Sequence, residues 1–271
     1  MPELPEVETT RLGISSSLAG RSIAGVVIRE RRLRWLVPEH IEERLTGAVV
    51  SRVERRAKYL LLRTGRGTAI AHLGMSGSMR IVAPDANLIS HDHYDIVMDN
   101  GSAVRFNDPR RFGCLLWTDD DPANHPLLAR LGPEPLGANL SGEYLYSTAK
   151  GRRVTIKQHL MNSNIVAGVG NIYANESLFR SGIHPRRAAG RISQKRMDDL
   201  VNGVRAVLTE AIQYGGTTLR DFYAADGKPG YFRTKLMVYD RAGMPCQNCG
   251  ESIRQTVIGQ RSSYYCVRCQ H

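Results

Sequence analysis

At 271 residues, 42% hydrophobic and 23% charged, the chain has apolar material for one large or two modest cores, which excludes a disordered or low-complexity polypeptide. It has no run of about 18 apolar residues and no basic start followed by an apolar stretch, so no membrane attachment or secretory signal is expected and the cytoplasm is the expected compartment. The net charge of +11 is uneven: residues 1–150 carry 19 Lys and Arg against 18 Asp and Glu, and residues 151–271 carry 18 against 8, which points the second half toward a polyanion, first of all nucleic acid.

The chain opens with Pro2-Glu3-Leu4-Pro5-Glu6. With Met1 removed, as a small second residue permits, Pro2 presents a secondary amine between carboxylates. An α-amino group ordinarily titrates at about 7.7–8.0, so part of it is unprotonated near neutral pH and able to act as a nucleophile. The plainer reading is that the prolines only start a helix. Residues 5–18 read as that helix, with Val7, Ile14 and Leu18 on one face and Gly20 beyond its end. From 22 to 118 the pattern becomes short β-rich segments at 23–28, 48–53, 59–62, 68–72, 94–98 and 103–106, with the Asn100-Gly101 pair marking a hairpin between the last two. An antiparallel β-sandwich or barrel is expected.

Asp119-Asp120-Asp121-Pro122 and the Pro- and Gly-bearing stretch 132–137 place a domain boundary. Beyond it the period turns helical. Asn171 is expected to cap a helix to about Arg180, and Ser193 a longer one whose stripe of Met197, Leu200, Val201, Val204, Val207, Leu208, Ala211 and Ile212 ends at Gly215-Gly216. Residues 217–231, rich in Gly, Thr and charge, read as a mobile surface loop.

Cys246-x2-Cys249 and Cys266-x2-Cys269, separated by 16 residues, have the spacing of a four-thiolate zinc site. Four thiolates fill a tetrahedron, so this metal is expected to be structural. Between the pairs, 255–265 alternates like a hairpin with Gly259, Gln260 and Arg261 near its tip. Lys58 follows Arg55-Arg56-Ala57 at the start of a strand, either a solvated basic edge or a phosphate ligand or proton carrier. His72-Leu73-Gly74-Met75-Ser76-Gly77 and Asp108-Pro109-Arg110-Arg111-Phe112-Gly113 are turns able to expose Met75 and an Arg–Phe pair as wedges into stacked bases. His91-Asp92-His93 suggests a metal pair, but adjacent strand positions alternate faces and no third ligand stands out, so ordinary or phosphate-contacting histidines are expected. The glycines of Gly168-Val169-Gly170-Asn171 can present N–H groups to a phosphate at a helix start.

Together these motifs, joined by Asp226-Gly227-Lys228-Pro229-Gly230-Tyr231, resemble the bacterial formamidopyrimidine-DNA glycosylases over essentially the whole length. The resemblance implies an α+β, two-domain protein. An N-terminal helix and antiparallel β-sandwich (1–135) lead through a linker (136–155) to a helical helix-two-turns-helix domain (156–235) and a β-hairpin zinc finger (236–271), with DNA held between domains. It implies excision of oxidised purines, notably 8-oxoguanine and formamidopyrimidines, followed by strand cleavage. Pro2 would attack C1′, Glu3 act as acid–base at the sugar, Lys58 assist β-elimination and Arg261 δ-elimination. Met75, Arg110 and Phe112 would fill the void, while His72, His91, Arg152 and Asn171 would contact DNA. Residues 217–231 would cover the flipped base. Damaged duplex DNA is the implied partner of a monomer carrying one structural zinc and no redox cofactor. Asn162-Ser163-Asn164 departs from the pattern, standing where an acidic residue is expected. The alternatives are the sister family resembling endonuclease VIII, against which the Glu-Leu-Pro-Glu opening and the fuller 217–231 loop speak, and a non-catalytic DNA-binding zinc protein, which has no need of an N-terminal imine former.

Overall fold

The computed structural model describes residues 2–83, 85–217 and 231–271, so the expected covering loop lies outside the described residues except for Thr217 and Tyr231. Its contacts divide the chain into two compact units, Met1–Arg130 with Tyr214–Arg233, and Leu131–Gln213 with Thr234–His271. Among the described residues no helix is long and apolar enough to cross a membrane.

In the first unit, helix α1 (Leu4–Leu18) buries Leu4, Val7, Thr10, Ile14 and Leu18, three or four residues apart and therefore on one face, and Gly20 beyond its end takes φ +78°. Two four-stranded antiparallel sheets follow. One orders β1 (Ile23–Ile28), β6 (Asp92–Met98), β7 (Ala103–Asn107) and β5 (Ser78–Val82); the other orders β2 (Val50–Arg56), β3 (Tyr59–Thr64), β4 (Gly67–His72) and β8 (Cys114–Thr118). The Asn100-Gly101 turn joins β6 to β7, with Gly101 at φ +83°. Val7, Ile14 and Leu18 share one buried cluster with Val53, Leu60 and Leu62 of one sheet and Tyr94, Ile96 and Phe106 of the other. Each such side chain contributes about 1.5–3 kcal/mol through burial, so this cluster fixes the helix on the sandwich.

Two features of this unit differ from the expectation. Strand β2 continues past 53 to Arg56, because Glu54 pairs with Arg52 and across the ladder with Arg63, giving its charged outer face partners. A short helix α2 (Ile41–Leu45) interrupts the β-rich half, burying Ile41 and Leu45 one turn apart.

The second unit is helical. The stretch expected as a linker holds α3 (Gly142–Ala149), whose N-cap Ser141 hydroxyl accepts from the Tyr144 N–H at 3.0 Å. Next come α4 (Ile156–Met161) and α5 (Asn171–Arg180), joined by two tight turns. In the first of these the Asn162 side-chain oxygen accepts from the Asn164 N–H at 3.0 Å, doing with an amide what an aspartate does in the same turn. Asn171 is the first helical residue and Gly170, with an extended backbone, the cap; the Asn171 side-chain NH2 donates to the Ser262 carbonyl. The long helix α6 (Gln194–Gln213) follows Ser193, whose carbonyl accepts from Met197 at 3.0 Å, and it buries its stripe against α3 and α5. The hairpin of β9 (Arg254–Ile258) and β10 (Arg261–Tyr265) lies between the two cysteine pairs, turning through Gly259 at φ +55° and Gln260 at φ +61°. Two consecutive left-handed residues match the twist of a two-residue hairpin, and they leave Arg261 exposed beside the tip.

Candidate active site and nucleic-acid interface

The Glu6 carboxylate helps to hold the chain start, in a capping box with Glu3. Glu6, buried in the first turn of α1, accepts from the Glu3 N–H through Oε2 and from the Thr217 N–H through Oε1, both at 2.8 Å. A Cβ on Gly216, whose φ is +81°, would lie 3.0 Å from the same carboxylate. Glu6 therefore joins the Pro2-Glu3 tip to the backbone where residues 218–230 begin. Pro2 and Glu3 are both buried, at the N-terminal end of a helix whose dipole favours negative charge there.

Lys58 lies on the two-residue turn between β2 and β3, half-buried, after Ala57 at φ +52°. His72 sits opposite Tyr59 on the neighbouring strand, their rings 4.8 Å apart. Burial, reinforced by the charges of Lys58 and Arg34, pushes the His72 pKa down to about 4. Its Nδ1 accepts from the Gly74 N–H at 2.8 Å, which leaves a proton on Nε2. At neutral pH His72 is thus an uncharged donor.

Met75 and the Arg110–Phe112 pair are brought together by Asp108, which is fully buried. Its carboxylate accepts from the Ser76 hydroxyl at 2.8 Å, the Gly113 N–H at 2.8 Å and the Arg110 N–H at 3.2 Å. A Cβ on Gly74 would fall 2.5 Å from the Gly113 nitrogen, so glycine is what lets the two turns touch. The Arg110 guanidinium lies 4.7 Å from the centre of the Phe112 ring, and that ring is 42% exposed although large and apolar. Arg32, Leu33, Arg34 and Arg111 complete a cavity of about 640 Å³ with the pair, rich in cationic groups. His91, exposed at φ +72°, lends its carbonyl to the Asp108 N–H at 3.1 Å; His93 is buried, with Nε2 2.7 Å from the Asp108 carbonyl, so the two histidines do not share a metal.

In the second unit, Lys157 is buried and donates to the Ser262 carbonyl at 2.8 Å and the Ser263 hydroxyl at 2.6 Å; the Asn171 amide donates to the same Ser262 carbonyl at 3.0 Å. Asn175 accepts from the Tyr264 N–H at 2.8 Å. Helices α4 and α5 therefore grip the strand that starts with Arg261. Arg152 is exposed just after α3, with Nε on the Thr148 carbonyl at 2.7 Å.

The four cysteine sulfurs lie within 4.8 Å of one another, Cys246 and Cys269 at 3.9 Å and Cys249 and Cys266 at 3.5 Å. Sulfurs about 2.3 Å from one zinc stand about 3.8 Å apart in a tetrahedron, so the set fits one zinc ion and leaves no position for water. Glu6, Asp108 and Lys157 are the groups that reading the chain in order misses. Each has a partner far along the chain, 211, 32 and 105 residues away, and no local pattern announces those.

Three family models match in order: the formamidopyrimidine-DNA glycosylase N-terminal domain at residues 1–115, the formamidopyrimidine-DNA glycosylase H2TH domain at 131–223, and a zinc finger found in FPG and IleRS at 243–271. The chain is 55% identical over 270 residues to the formamidopyrimidine-DNA glycosylase of Thioalkalivibrio sulfidiphilus and 56% identical to that of Methylococcus capsulatus, covering 100% of each chain in both comparisons. Among solved structures it is similar to the MutM (Fpg) protein of Thermus thermophilus, with 36% identity, a TM-score of 0.88, and 99% of this chain and 98% of that one covered. The Lactococcus lactis Fpg in complex with DNA containing an abasic site gives 29% identity and a TM-score of 0.92, with both chains covered in full.

Proposed function

The chain belongs to the formamidopyrimidine-DNA glycosylase family, and on that premise we propose that Pro2 is the nucleophile of a repair reaction in which Glu3, Lys58 and Arg261 move protons and electrons at the sugar of a damaged nucleotide. The protein is a base-excision-repair enzyme that removes oxidised purines from duplex DNA and has AP-lyase activity, and it carries one structural zinc. Its place of work is the cytoplasm, on nucleoid DNA.

The reading rests above all on the buried Glu6 carboxylate, which fixes the Pro2-Glu3 tip against Thr217. A free Pro2 nitrogen attacks C1′, the glycosidic bond breaks toward the base, and Glu3 exchanges protons at the sugar oxygen as the ring opens. The product is an iminium. Because Pro2 is a secondary amine, this iminium is cationic at any pH, and it acidifies C2′. Lys58 assists loss of that proton and expulsion of the 3′-phosphate; Arg261 assists the second elimination. With Met1 attached the nitrogen is an amide and the first step is closed. His72, Arg152 and the Gly168–Gly170 turn serve as phosphate contacts, and Met75, Arg110 and Phe112 fill the space a flipped base leaves.

Borohydride trapping tests this on duplexes holding 8-oxoguanine, an oxidised pyrimidine or an abasic site. A covalent adduct is expected on the 8-oxoguanine and abasic duplexes, and much less with Pro2→Gly, which keeps a primary amine only. Absence of an adduct from every duplex would remove the imine mechanism; trapping on the pyrimidine duplex alone would move the chain to the sister specificity.

A further inference from the structure

The Arg55-Arg56-Ala57-Lys58 cluster looks in sequence like a solvated basic edge, yet Arg55 is committed inward. The Arg55 side chain is 10% exposed and its partner Glu8 17%. Arg55 donates through Nε to Glu8 Oε2 at 2.9 Å and through Nη1 to the Ala57 carbonyl at 2.9 Å. The other Glu8 oxygen takes two bonds from Arg11, at 2.7 and 3.0 Å, and Arg11 reaches the Val53 carbonyl at 3.3 Å. Glu8 belongs to α1, the helix that carries Pro2 and Glu3 at its start, whereas Val53 and Ala57 belong to the β2–β3 hairpin that carries Lys58. Ala57 is left-handed, a conformation an alanine holds only under constraint, and Arg55 bonds its carbonyl. That carbonyl and the Lys58 nitrogen share one planar peptide, so fixing the first fixes the start of the second.

We propose that Glu8 and Arg55 form a positioning bracket that sets Lys58 relative to Pro2 across the helix–hairpin contact. The proposal rests on the reading of Pro2 as nucleophile and Lys58 as the elimination residue. Burial opposes ionisation of Glu8, but the two guanidinium groups hold its carboxyl below the ordinary range, so the bracket stays charged at working pH. Neither Glu8 nor Arg55 touches substrate in this scheme; they act through the turn.

The test uses the full zinc-loaded protein and a duplex with a preformed abasic site, which removes base recognition from the measurement. Under single-turnover conditions Arg55→Ala is expected to cleave the strand about tenfold to hundredfold more slowly, the penalty for misplacing a reacting group by about an ångström. Its Kd for a non-cleavable abasic analogue stays within about twofold of the parent, since a phosphate contact of the kind that sets affinity is not being removed. The borohydride-trapped fraction ahead of cleavage rises. Arg55 also lines a surface cavity of about 460 Å³ with Glu8, Arg11 and Glu54, so millimolar methylguanidinium should restore part of the rate where equal sodium chloride does not. Should Arg55→Ala fail to fold, Arg55→Lys, which keeps the charge but not both bonds, is expected to show an intermediate slowing. Cleavage at the parent rate by whichever Arg55 variant folds, or affinity falling in step with rate, overturns the bracket. Lys58→Met measured alongside separates the two failures: at the parent rate it overturns the role of Lys58 itself, and when slow beside an unimpaired Arg55 variant it overturns the bracket alone.

Discussion

Glu6 illustrates how much one side chain carries. Both its oxygens accept backbone N–H groups, so Glu6→Gln must turn an amide NH2 toward one of those donors. Leaving a buried donor unmet costs about 1–3 kcal/mol, and we expect Glu6→Gln to lose that much in urea unfolding at neutral pH and to slow base excision more than it weakens DNA binding. His72 gives a different signature. Its folded pKa of about 4 lies below the ordinary 6.5 of an unfolded histidine, so the unfolded chain binds the extra proton. The stability it confers is complete above pH 6.5 and is lost as pH falls from there toward 4, amounting to roughly 2 kcal/mol at pH 5. His72→Asn keeps an acceptor near Nδ1 and does not titrate, so unfolding free energies from urea titrations at pH 7.5 and 5 should differ less for the variant than for the parent by about that amount. The cysteines announce themselves in sequence by type and spacing, and Pro2, proposed as the nucleophile, through the motif it opens. Glu6, Asp108 and Arg55 do not, because an acid or arginine acquires its role only from partners that folding brings to it.

At the scale of elements, the long signals were legible and the short ones were not. Helices α1 and α6 and the 100–101 hairpin follow from apolar period and turn chemistry over many residues. Helices α2, α3 and α4 run for 5, 8 and 6 residues, too few turns to show a period, and their caps are visible only once the chain has folded. The finger was legible because metal geometry restricts spacing. Its small core combines Cys246, Ile253, Tyr264 and Cys266 with Phe179 of α5 and Val238, so the metal organises packing as well as four sulfurs. Removing zinc with a chelator, or Cys249→Ser, should therefore abolish strand cleavage and most DNA binding while the sandwich stays folded. The two tryptophans of the chain, Trp35 and Trp117, both belong to the sandwich unit, so fluorescence checks this directly: their emission should not shift when activity is lost.

For the whole molecule, a net charge of +11 concentrated beyond residue 150 means that much of the affinity for DNA comes from phosphate neutralisation. Each neutralised phosphate adds about 0.9 to the slope of log affinity against log salt. This separates two kinds of contact that a single Kd confounds. Arg152 is exposed and held by one bond to the end of α3, as suits a phosphate ligand, so Arg152→Gln should weaken binding to damaged and undamaged duplexes alike and flatten the salt slope by about 1. Phe112 carries no charge and exposes an aromatic face steadied by Arg110. Stacking of a base on such a ring is worth about 1–3 kcal/mol, so Phe112→Ala should weaken binding to an abasic duplex by roughly fivefold to 150-fold, leave undamaged DNA nearly unaffected, and preserve the slope. Fluorescence anisotropy at four or five salt concentrations for the parent and both variants measures slope and intercept together. Phe112 is not the wedge if its variant lowers the slope, and Arg152 is not a phosphate ligand if its variant lowers the intercept on damaged DNA alone.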